Sequence, residues 1–481
     1  MNFQQQIPSR AASESTRDHA VALWVAAFAT VVLGVGSSIP SFWYDEVATL
    51  QLSRLSWPNL WAFIDQRDAV HGVYASIIHV WIRVFGDSEL SVRFPSVIAS
   101  AIAAGGIYLL IRRLEFDLRA AIFGAGIFVL MPRTLIQADE ARSYALAVAL
   151  LVGAALSVIG FAKTGRKREL LSYTVLATFA AWTFVYALLV LPAFAIFAFR
   201  TGQRPAQRVL LSFGVIALPS LLTAPLVAKV ATQRGQVSWL ADQVVNIYTV
   251  GLEPFFGVAV WGAAFVVALL AVGVARRSVT WNRVTAALLC WLLLPAILLL
   301  LAGVFTDPLF APRYLTISTP ALAVLCAIAV SEWPRKVLLS VSVIGLLVAL
   351  PMVVMTRIPT AKPSKQDLRA VAEIIRTEGR TGDGFLLATD GVGALRPRVT
   401  LYAYPNAFAD KQDLAFVESY ATQGTYWDEV ALPGVNDLAA VRRVWTVTRG
   451  DDPYARELER AGFGVSASTT ITGLDVELWT R

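Results

Sequence analysis

Long apolar runs separated by short polar segments dominate residues 20–356 of the chain. A run of about 20 apolar residues is long enough to cross the hydrocarbon core of a bilayer as one helix. The pattern therefore predicts a polytopic α-helical membrane protein with eleven spanning helices. The predicted spans lie near residues 20–37, 91–111, 119–132, 142–162, 170–186, 187–200, 208–230, 247–274, 284–304, 314–331 and 337–356.

The apolar stretch from Val70 to Phe85 is the exception to this pattern. Counting it as a span would move the basic segment 112–119 to the opposite side of the membrane, so we predict an interfacial or re-entrant helix instead. Residues 38–90 then form one long external loop with amphipathic helices. Tryptophan side chains favour the membrane interface, and the loop offers three such anchors, Trp57, Trp61 and Trp81.

Basic residues cluster in the short loops between the apolar runs. Because Lys and Arg resist translocation, such loops are expected on the cytoplasmic side. The first run has no cleavable signal pattern before it and is predicted to be a retained anchor, with residues 1–19 as a cytoplasmic tail. The predicted inner loops are Arg112–Arg119, Lys163–Arg168, Arg200–Arg208, Arg276–Arg283 and Arg335–Lys336.

Composition narrows the class of protein further. A mean hydropathy of +0.60 with 56% hydrophobic residues is too apolar for a single soluble core. The formal net charge of +7 comes from the inner loops, so no nucleic-acid partner is expected. Both cysteines, Cys290 and Cys326, lie inside apolar runs, and with three histidines in the chain no Cys/His metal cluster and no cofactor are predicted.

The last quarter of the chain has a different composition. Residues 357–363 are predicted to be a linker after the transmembrane catalytic domain of residues 20–356, and residues 364–481 a small soluble α/β domain on the outer side. Its predicted elements are a helix with an apolar stripe from Leu368 to Ile375, strands at 385–388 and 444–448, and a helix at 453–461. The segment Asp390-Gly391-Val392-Gly393 lacks a dinucleotide fingerprint and is predicted to be a turn.

Adjacent acids, Asp45 and Glu46, follow the first apolar run and an aromatic Phe-Trp-Tyr segment. Partial desolvation near a bilayer raises the pKa of a carboxylate toward the range of a general base. We interpret the pair as catalytic rather than as solvated loop acids. A divalent ion held by this pair with Asp139 stays an open alternative.

Three further groups of residues are candidates for the same site. Asp139, Glu140 and Arg142 precede a long apolar helix, where the acids suit a helix N-terminus but the arginine suits a sugar or a phosphate. Arg313 and Tyr314 open another predicted span, where the arginine either snorkels or binds a lipid phosphate. Asp68, His71 and Tyr74 start the non-spanning helix and are predicted to line a cavity above the bilayer.

Together these segments resemble the GT-C membrane glycosyltransferases that use polyprenyl-phosphate sugars, in the branch of protein O-mannosyltransferase-like and aminoarabinose-transferase-like enzymes. The resemblance extends from residue 38 to about residue 332. It is carried by the aromatic-Asp-Glu segment at 42–46, the His-containing segment leading to 81–89, Arg93-Phe94-Pro95-Ser96, Ala138 to Leu146, and Arg313-Tyr314-Leu315 with Pro320-Ala321-Leu322.

The resemblance implies an inverting transfer on the outer face of the cell membrane, with Asp45 as base toward an acceptor hydroxyl. Asp139, Glu140 and Arg142 would organise the acceptor, and Arg313 with Tyr314 would face the phosphate of the lipid donor. His71 is followed by Gly-Val-Tyr where many relatives have a His-Pro-Pro-Leu-like run, so donor or acceptor preference is expected to differ.

Mannose is the first expectation for the donor sugar and arabinose the second, because Ala-, Val- and Arg-rich usage is typical of a GC-rich bacterium that uses both. The expected acceptor is a glycolipid, a polysaccharide or a protein. Two alternative functions also act on a lipid-linked sugar: that of a flippase or transporter, and that of a glycan ligase or polymerase. Carriers usually keep ionisable residues near the bilayer midplane, whereas here the acids lie at one face.

Overall fold

A computed structural model describes residues 7–199, 203–389 and 395–481. The predicted turn at Asp390 to Gly393 lies outside the described residues. The α-helices are Ile7–Gly34 (α1), Tyr44–Arg54 (α2), Trp57–Gln66 (α3), Gly72–Phe85 (α4), Glu89–Arg113 (α5), Leu118–Leu130 (α6), Pro132–Ala138 (α7), Tyr144–Thr164 (α8), Lys167–Thr183 (α9), Leu191–Phe197 (α10), Pro205–Thr232 (α11), Ile247–Gly251 (α12), Glu253–Phe256 (α13), Val260–Ala275 (α14), Arg283–Phe305 (α15), Thr319–Val330 (α16), Arg335–Met355 (α17), Leu368–Glu378 (α18), Val399–Ala403 (α19), Tyr420–Gln423 (α20), Val435–Ala439 (α21) and Ala455–Arg460 (α22).

Short 3₁₀ helices and seven strands complete the secondary structure of the described residues. The 3₁₀ helices include Ala69–His71, Val185–Val190, Arg234–Asp242, Pro312–Ser318 and Pro405–Ala407. The strands are Gly384–Leu387 (β1), Gln412–Asp413 (β2), Phe416–Glu418 (β3), Glu429–Val430 (β4), Arg443–Thr448 (β5), Gly464–Ile471 (β6) and Leu474–Thr480 (β7).

The chain divides into two compact units that do not follow its order. The membrane unit comprises Met1–Val35, Arg67–Tyr74 and Arg93–Val354. The sheet unit comprises Gly36–Gln66, Ala75–Val92 and Met355–Arg481. Most of the predicted external loop therefore belongs to the same unit as the C-terminal α/β region.

The long apolar helices make the chain a multi-pass membrane protein. Among the described residues, seven helices are long and apolar enough to cross a membrane, and counting the bent pair of α6 and α7 as one span gives eight. Predicted spans 170–186, 187–200 and 247–274 correspond to shorter helices, so the number eleven stays a prediction. The seven candidates are Thr16–Gly34, Glu89–Arg113, Tyr144–Thr164, Pro205–Thr232, Arg283–Phe305, Pro312–Val330 and Arg335–Met355.

The stretch predicted as one span at 247–274 is broken into α12, α13 and α14. Pro254 cannot donate a backbone hydrogen bond, and Gly257 has φ +53, a conformation that ends the helix. In the predicted non-spanning stretch, α4 has 14 residues and is about 21 Å long, shorter than a hydrocarbon core of about 30 Å.

Helix α16 lies at the centre of the membrane unit. In the most apolar 18-residue stretch of Pro312–Val330, 94% of the residues are buried, whereas the corresponding figure for α17 is 17%. Apolar side chains of α5, α8, α10 and α15 form the surrounding core, including Trp291, whose indole donates to the Ile317 carbonyl at 2.8 Å. Peripheral helices such as α17 expose leucine and valine, as expected for surfaces that face lipid.

The sheet unit contains the predicted α/β region. Its five-stranded sheet has the order β2-β1-β5-β7-β6. Strand β1 is parallel to both β2 and β5, whereas β7 is antiparallel to both β5 and β6. The buried side chains of α18 include Leu368, Val371 and Ile375, so the predicted apolar stripe is confirmed. Thr472 and Gly473 both have positive φ, which suits the tight turn that joins β6 to β7.

Candidate functional site

A bend after α6 brings a polar segment into the interior of the membrane unit. Helices α6 and α7 meet at 61°. Pro132 occupies the first position of α7, where its missing N–H costs no hydrogen bond. The chain then turns again at residues 139–143 before α8 begins, so short helices and turns place polar side chains where a straight span would place apolar ones.

This second turn carries three of the predicted site residues. Asp139 and Glu140 are 2% and 7% exposed, and the Arg142 backbone N–H donates to the Glu140 carbonyl at 2.8 Å. The Ser96 hydroxyl on α5 donates to the same carbonyl at 2.7 Å and lies 3.2 Å from the Tyr74 hydroxyl. Tyr74 and the acidic turn are therefore joined through one buried serine.

His71 and Asp68 lie beside the same turn. The Arg142 Nη2 donates to His71 Nε2 at 3.0 Å. Because a guanidinium group has no acceptor, the His71 nitrogen that faces it carries no proton. His71 Nε2 is also 3.8 Å from Asp68 Oδ1. The predicted group at 68–74 and the predicted group at 139–142 therefore form one cluster.

Arg313 reaches the same region from the 3₁₀ helix that precedes α16. Its guanidinium carbon lies 4.7 Å from the centre of the Trp239 ring. Arg133, on α7, interacts electrostatically with both Arg313 and Glu140, and its hydrogen bonds run to the backbone carbonyls of Glu253 and Pro254 at 3.0 and 2.8 Å. Two guanidinium groups of the membrane unit are thus within electrostatic range of each other.

Aromatic rings form a wall next to these arginines. The Tyr314 ring stacks on Tyr186 with centroids 4.8 Å apart, and Phe184 contacts both rings and Tyr144. Tyr314 also interacts electrostatically with Arg313 and Arg142. Planar rings beside cationic groups suit a ligand that combines a sugar with a phosphate.

The two leading candidate acids belong to the sheet unit and differ from each other. Both lie in the first turn of α2. Glu46 is fully buried, and its Oε2 lies 3.6 Å from Nζ of Lys362, itself buried. Asp45 is only half-buried. Glu46 therefore has an ion-pair partner, and Asp45 is the more exposed acid of the two.

The sequence analysis missed Arg133, Tyr186 and the connecting role of Ser96. One signal was available for Arg133, because Pro132-Arg133 repeats the Pro312-Arg313 pattern of an apolar run followed by proline and arginine. No local signal pointed to Tyr186, which lies in an apolar stretch. Among the described residues, no three His, Cys, Asp or Glu side chains are grouped so that they could hold a metal ion.

Residues 72–228 match the family model described as dolichyl-phosphate-mannose-protein mannosyltransferase. No curated protein sequence matches the chain. The matched segment holds α4, the acidic turn and α7, but not Asp45 or Arg313.

Solved structures of similar fold cover nearly the whole chain. ArnT from Cupriavidus metallidurans in the apo state matches with a TM-score of 0.60 at 14% identity, over 98% of this chain and 98% of ArnT. The same protein bound to undecaprenyl phosphate gives a TM-score of 0.60 at 13% identity, over 95% and 97% of the two chains. Arabinofuranosyltransferase AftD from Mycobacteria gives 0.53 at 13% identity over 96% of this chain and 40% of AftD. The predicted resemblance to the GT-C membrane glycosyltransferases is confirmed.

Proposed function

We propose that this protein is an inverting glycosyltransferase that moves a sugar from a polyprenyl-phosphate donor to an acceptor hydroxyl. The observation that carries the proposal is the pair of guanidinium groups, Arg133 and Arg313, inside the membrane unit. Like charges repel each other most strongly where water is scarce. Two arginines within electrostatic range of each other are typical of a site for a polyanion, and a phosphate at a membrane belongs to a lipid.

The donor in this proposal is anchored by its prenyl chain. A solved structure with the same fold contains undecaprenyl phosphate, which supports a lipid phosphate as the group that the arginines receive. Arg313 and Tyr314 would contact this phosphate, with Arg133 as a second cation. Their charges would stabilise the phosphate as it leaves the sugar, so no metal ion is needed in the mechanism.

Asp45 is the proposed general base. Its carboxylate would accept the proton of the acceptor hydroxyl while the hydroxyl oxygen attacks the anomeric carbon. The bond from that carbon to the phosphate oxygen breaks, and the electron pair leaves with the polyprenyl phosphate. A single displacement of this kind inverts the configuration at the anomeric carbon. Glu46 would hold the first turn of α2 through Lys362.

The remaining cluster would position the acceptor. Arg142 is oriented by the neutral nitrogen of His71, and Tyr74 is tied to the acidic turn through a serine hydroxyl. Asp139 and Glu140 supply acceptor oxygens for sugar hydroxyl groups. Asp68, whose Oδ1 lies 3.8 Å from the same His71 nitrogen, would add a carboxylate to this cluster.

Mannose is the first sugar to test, because the matched family model is described as a mannosyltransferase. Arabinose is the second, because one structure of similar fold is an arabinofuranosyltransferase. We place the reaction at the outer face of the cell membrane, with a glycolipid, a polysaccharide or a protein as acceptor.

The test is transfer by the full chain in proteoliposomes. Polyprenyl-phosphate mannose and polyprenyl-phosphate arabinose are supplied separately with a membrane glycolipid extract. Asp45→Asn should lower the transfer rate by about 10²- to 10⁴-fold, the range for a general base. Asp87→Asn is the matched control, because this exposed acid pairs with Arg54 in the same unit and should leave transfer unchanged.

Two outcomes would contradict this function. Transfer at the normal rate by the Asp45→Asn variant would show that Asp45 is not the general base. Movement of the lipid-linked sugar between leaflets, with no product from either donor, would favour a transporter.

A further inference from the structure

A long apolar groove runs along α6 in the membrane unit. It has a volume of about 390 Å³ and is lined by residues of α6, α14 and α17 with their flanking turns. The space is open at Gly126, where an added side chain would meet no atom within 4 Å. Ile122, Leu339 and Leu346 in its lining are 49%, 56% and 53% exposed. The groove is therefore open to the surface that faces lipid, and hydrocarbon must fill it in a bilayer.

The two ends of the groove differ in charge. Its charged lining residues are Arg119 and Arg335, in the first turns of α6 and α17. Met131 and Pro132 line it at the other end of α6. A helix of 13 residues is about 20 Å long. The groove is thus apolar along its length and cationic at one end.

These arginines can accept an anionic group. The nearest carboxylate to Arg119 is Asp117, at 4.0 Å, and both side chains of that pair are about half exposed. An exposed pair at this distance contributes little and leaves the cation available. A guanidinium group at the start of a helix suits a phosphate.

The cationic end is not where the proposed donor phosphate binds. Arg133 directly follows Pro132 and interacts electrostatically with Arg313, so the donor arginines belong to the end of α6 that is about 20 Å from Arg119. A lipid held by Arg119 and Arg335 is therefore a second lipid. Both arginines lie in loops that are predicted to be cytoplasmic.

We propose that this groove binds an anionic glycerophospholipid of the cytoplasmic leaflet, with its phosphate on Arg119 and Arg335 and one acyl chain along α6. A zwitterionic lipid fits the groove equally well by shape but brings no net negative charge. Two basic residues near an anionic lipid surface together predict a preference on the order of thirtyfold.

The test is native mass spectrometry of the full chain in nanodiscs that contain equal amounts of phosphatidylglycerol and phosphatidylcholine with identical acyl chains. The wild type should retain phosphatidylglycerol about thirtyfold over phosphatidylcholine. Arg119→Gln with Arg335→Gln should abolish the preference. Lys336→Gln with Lys167→Gln removes the same charge from exposed residues outside the groove lining and should preserve it.

A second variant tests the chain-binding part. Gly126→Leu should fill the groove and reduce retention of both lipids, whereas Gly126→Ala should retain them. Thermal unfolding of each variant shows that the fold is kept.

Three results would overturn the site: no preference in the wild type, equal loss in the lysine control, or displacement of phosphatidylglycerol by equimolar polyprenyl phosphate. Lipid selectivity is measured without sugar transfer, so failure of this site is distinguishable from failure of the proposed activity.

Discussion

In the sheet unit the buried Arg398 donates to a carboxylate, whereas in the membrane unit Arg133 donates to backbone carbonyls. Arg398, 3% exposed at its side chain, donates to Asp413, and its Nη2 lies 3.7 Å from Asp428. Arg133 donates instead to backbone carbonyls, and Arg142 to a neutral imidazole. The first arrangement compensates charge between distant segments and holds a fold together. The second orients a guanidinium group through neutral acceptors.

The sheet unit gives further examples of the first arrangement. Arg369 donates to Glu89 at 2.7 Å and to the carbonyls of Ser38 and Pro40, and the Tyr404 hydroxyl donates to the same glutamate at 2.7 Å. These contacts fasten residues near α2 to the C-terminal region. The proposed base therefore lies on a helix that is supported by ion pairs within its own unit.

Breaking the Arg398 network should have the largest effect on stability. Arg398→Ala leaves two buried carboxylates without their cation, which costs about 3–5 kcal/mol. Thermal unfolding of the full chain in detergent, followed by fluorescence, should show a marked fall in Tm. The control is Arg376→Ala, because Arg376 and Glu373 form an exposed pair that contributes little to stability. An unchanged Tm for Arg398→Ala would contradict the structural role of these pairs.

Arg313→Gln should have an intermediate effect, on binding rather than on folding. A hydrogen bond to a charged group contributes about 1.5–3 kcal/mol, so KM for the lipid donor should rise about 10- to 100-fold while KM for the acceptor and Tm stay unchanged. Arg276→Gln is the matched control, since Arg276 also lies over a tryptophan ring, that of Trp333, with its guanidinium carbon 5.6 Å from the ring centre. A fall in Tm as large as that of Arg398→Ala would show that the membrane-unit arginines are structural as well.

Replacing Asp452 should have the smallest effect on stability. It shows how much stability a buried carboxylate of the sheet unit costs when none of the described arginines donates to it. Burial raises the pKa of its carboxyl group, and its Oδ2 is buried with no hydrogen-bond partner among the described residues. The pKa of this carboxyl group in the folded protein lies above its unfolded value of 3.8. The group therefore costs no stability below that pH and lowers the free energy of unfolding as the pH rises through the folded pKa.

Asp452→Asn keeps the acceptor oxygen for the Tyr454 N–H and removes this loss. The variant should be more stable than the wild type by up to about 1 kcal/mol at pH 7 and equal to it near pH 3. Urea unfolding at both pH values measures the difference, and a variant that is less stable at pH 7 would contradict the assignment.

Much of the candidate site could be predicted because its residues stand out locally. Charged residues beside long apolar runs, such as Arg142 and Arg313, are visible in any window of the sequence. Arg133 was harder to recognise, since its meaning depends on the bend at Pro132 and on a neighbour about 180 residues away. The broken helix at 253–257 was missed because its average hydropathy resembles that of a span.

The sequence by itself determined the membrane class, the long apolar helices, two strands of the C-terminal sheet and most of the candidate acids and arginines, because hydropathy and side-chain period are local properties. Only the tertiary structure decided that the segment around α2 belongs with the C-terminal sheet, and that Glu46 has Lys362 as a partner. It also decided that Arg398 donates to a carboxylate and that Arg133 donates to backbone carbonyls. Those outcomes depend on contacts between different segments of the chain, and a local pattern carries no information about them.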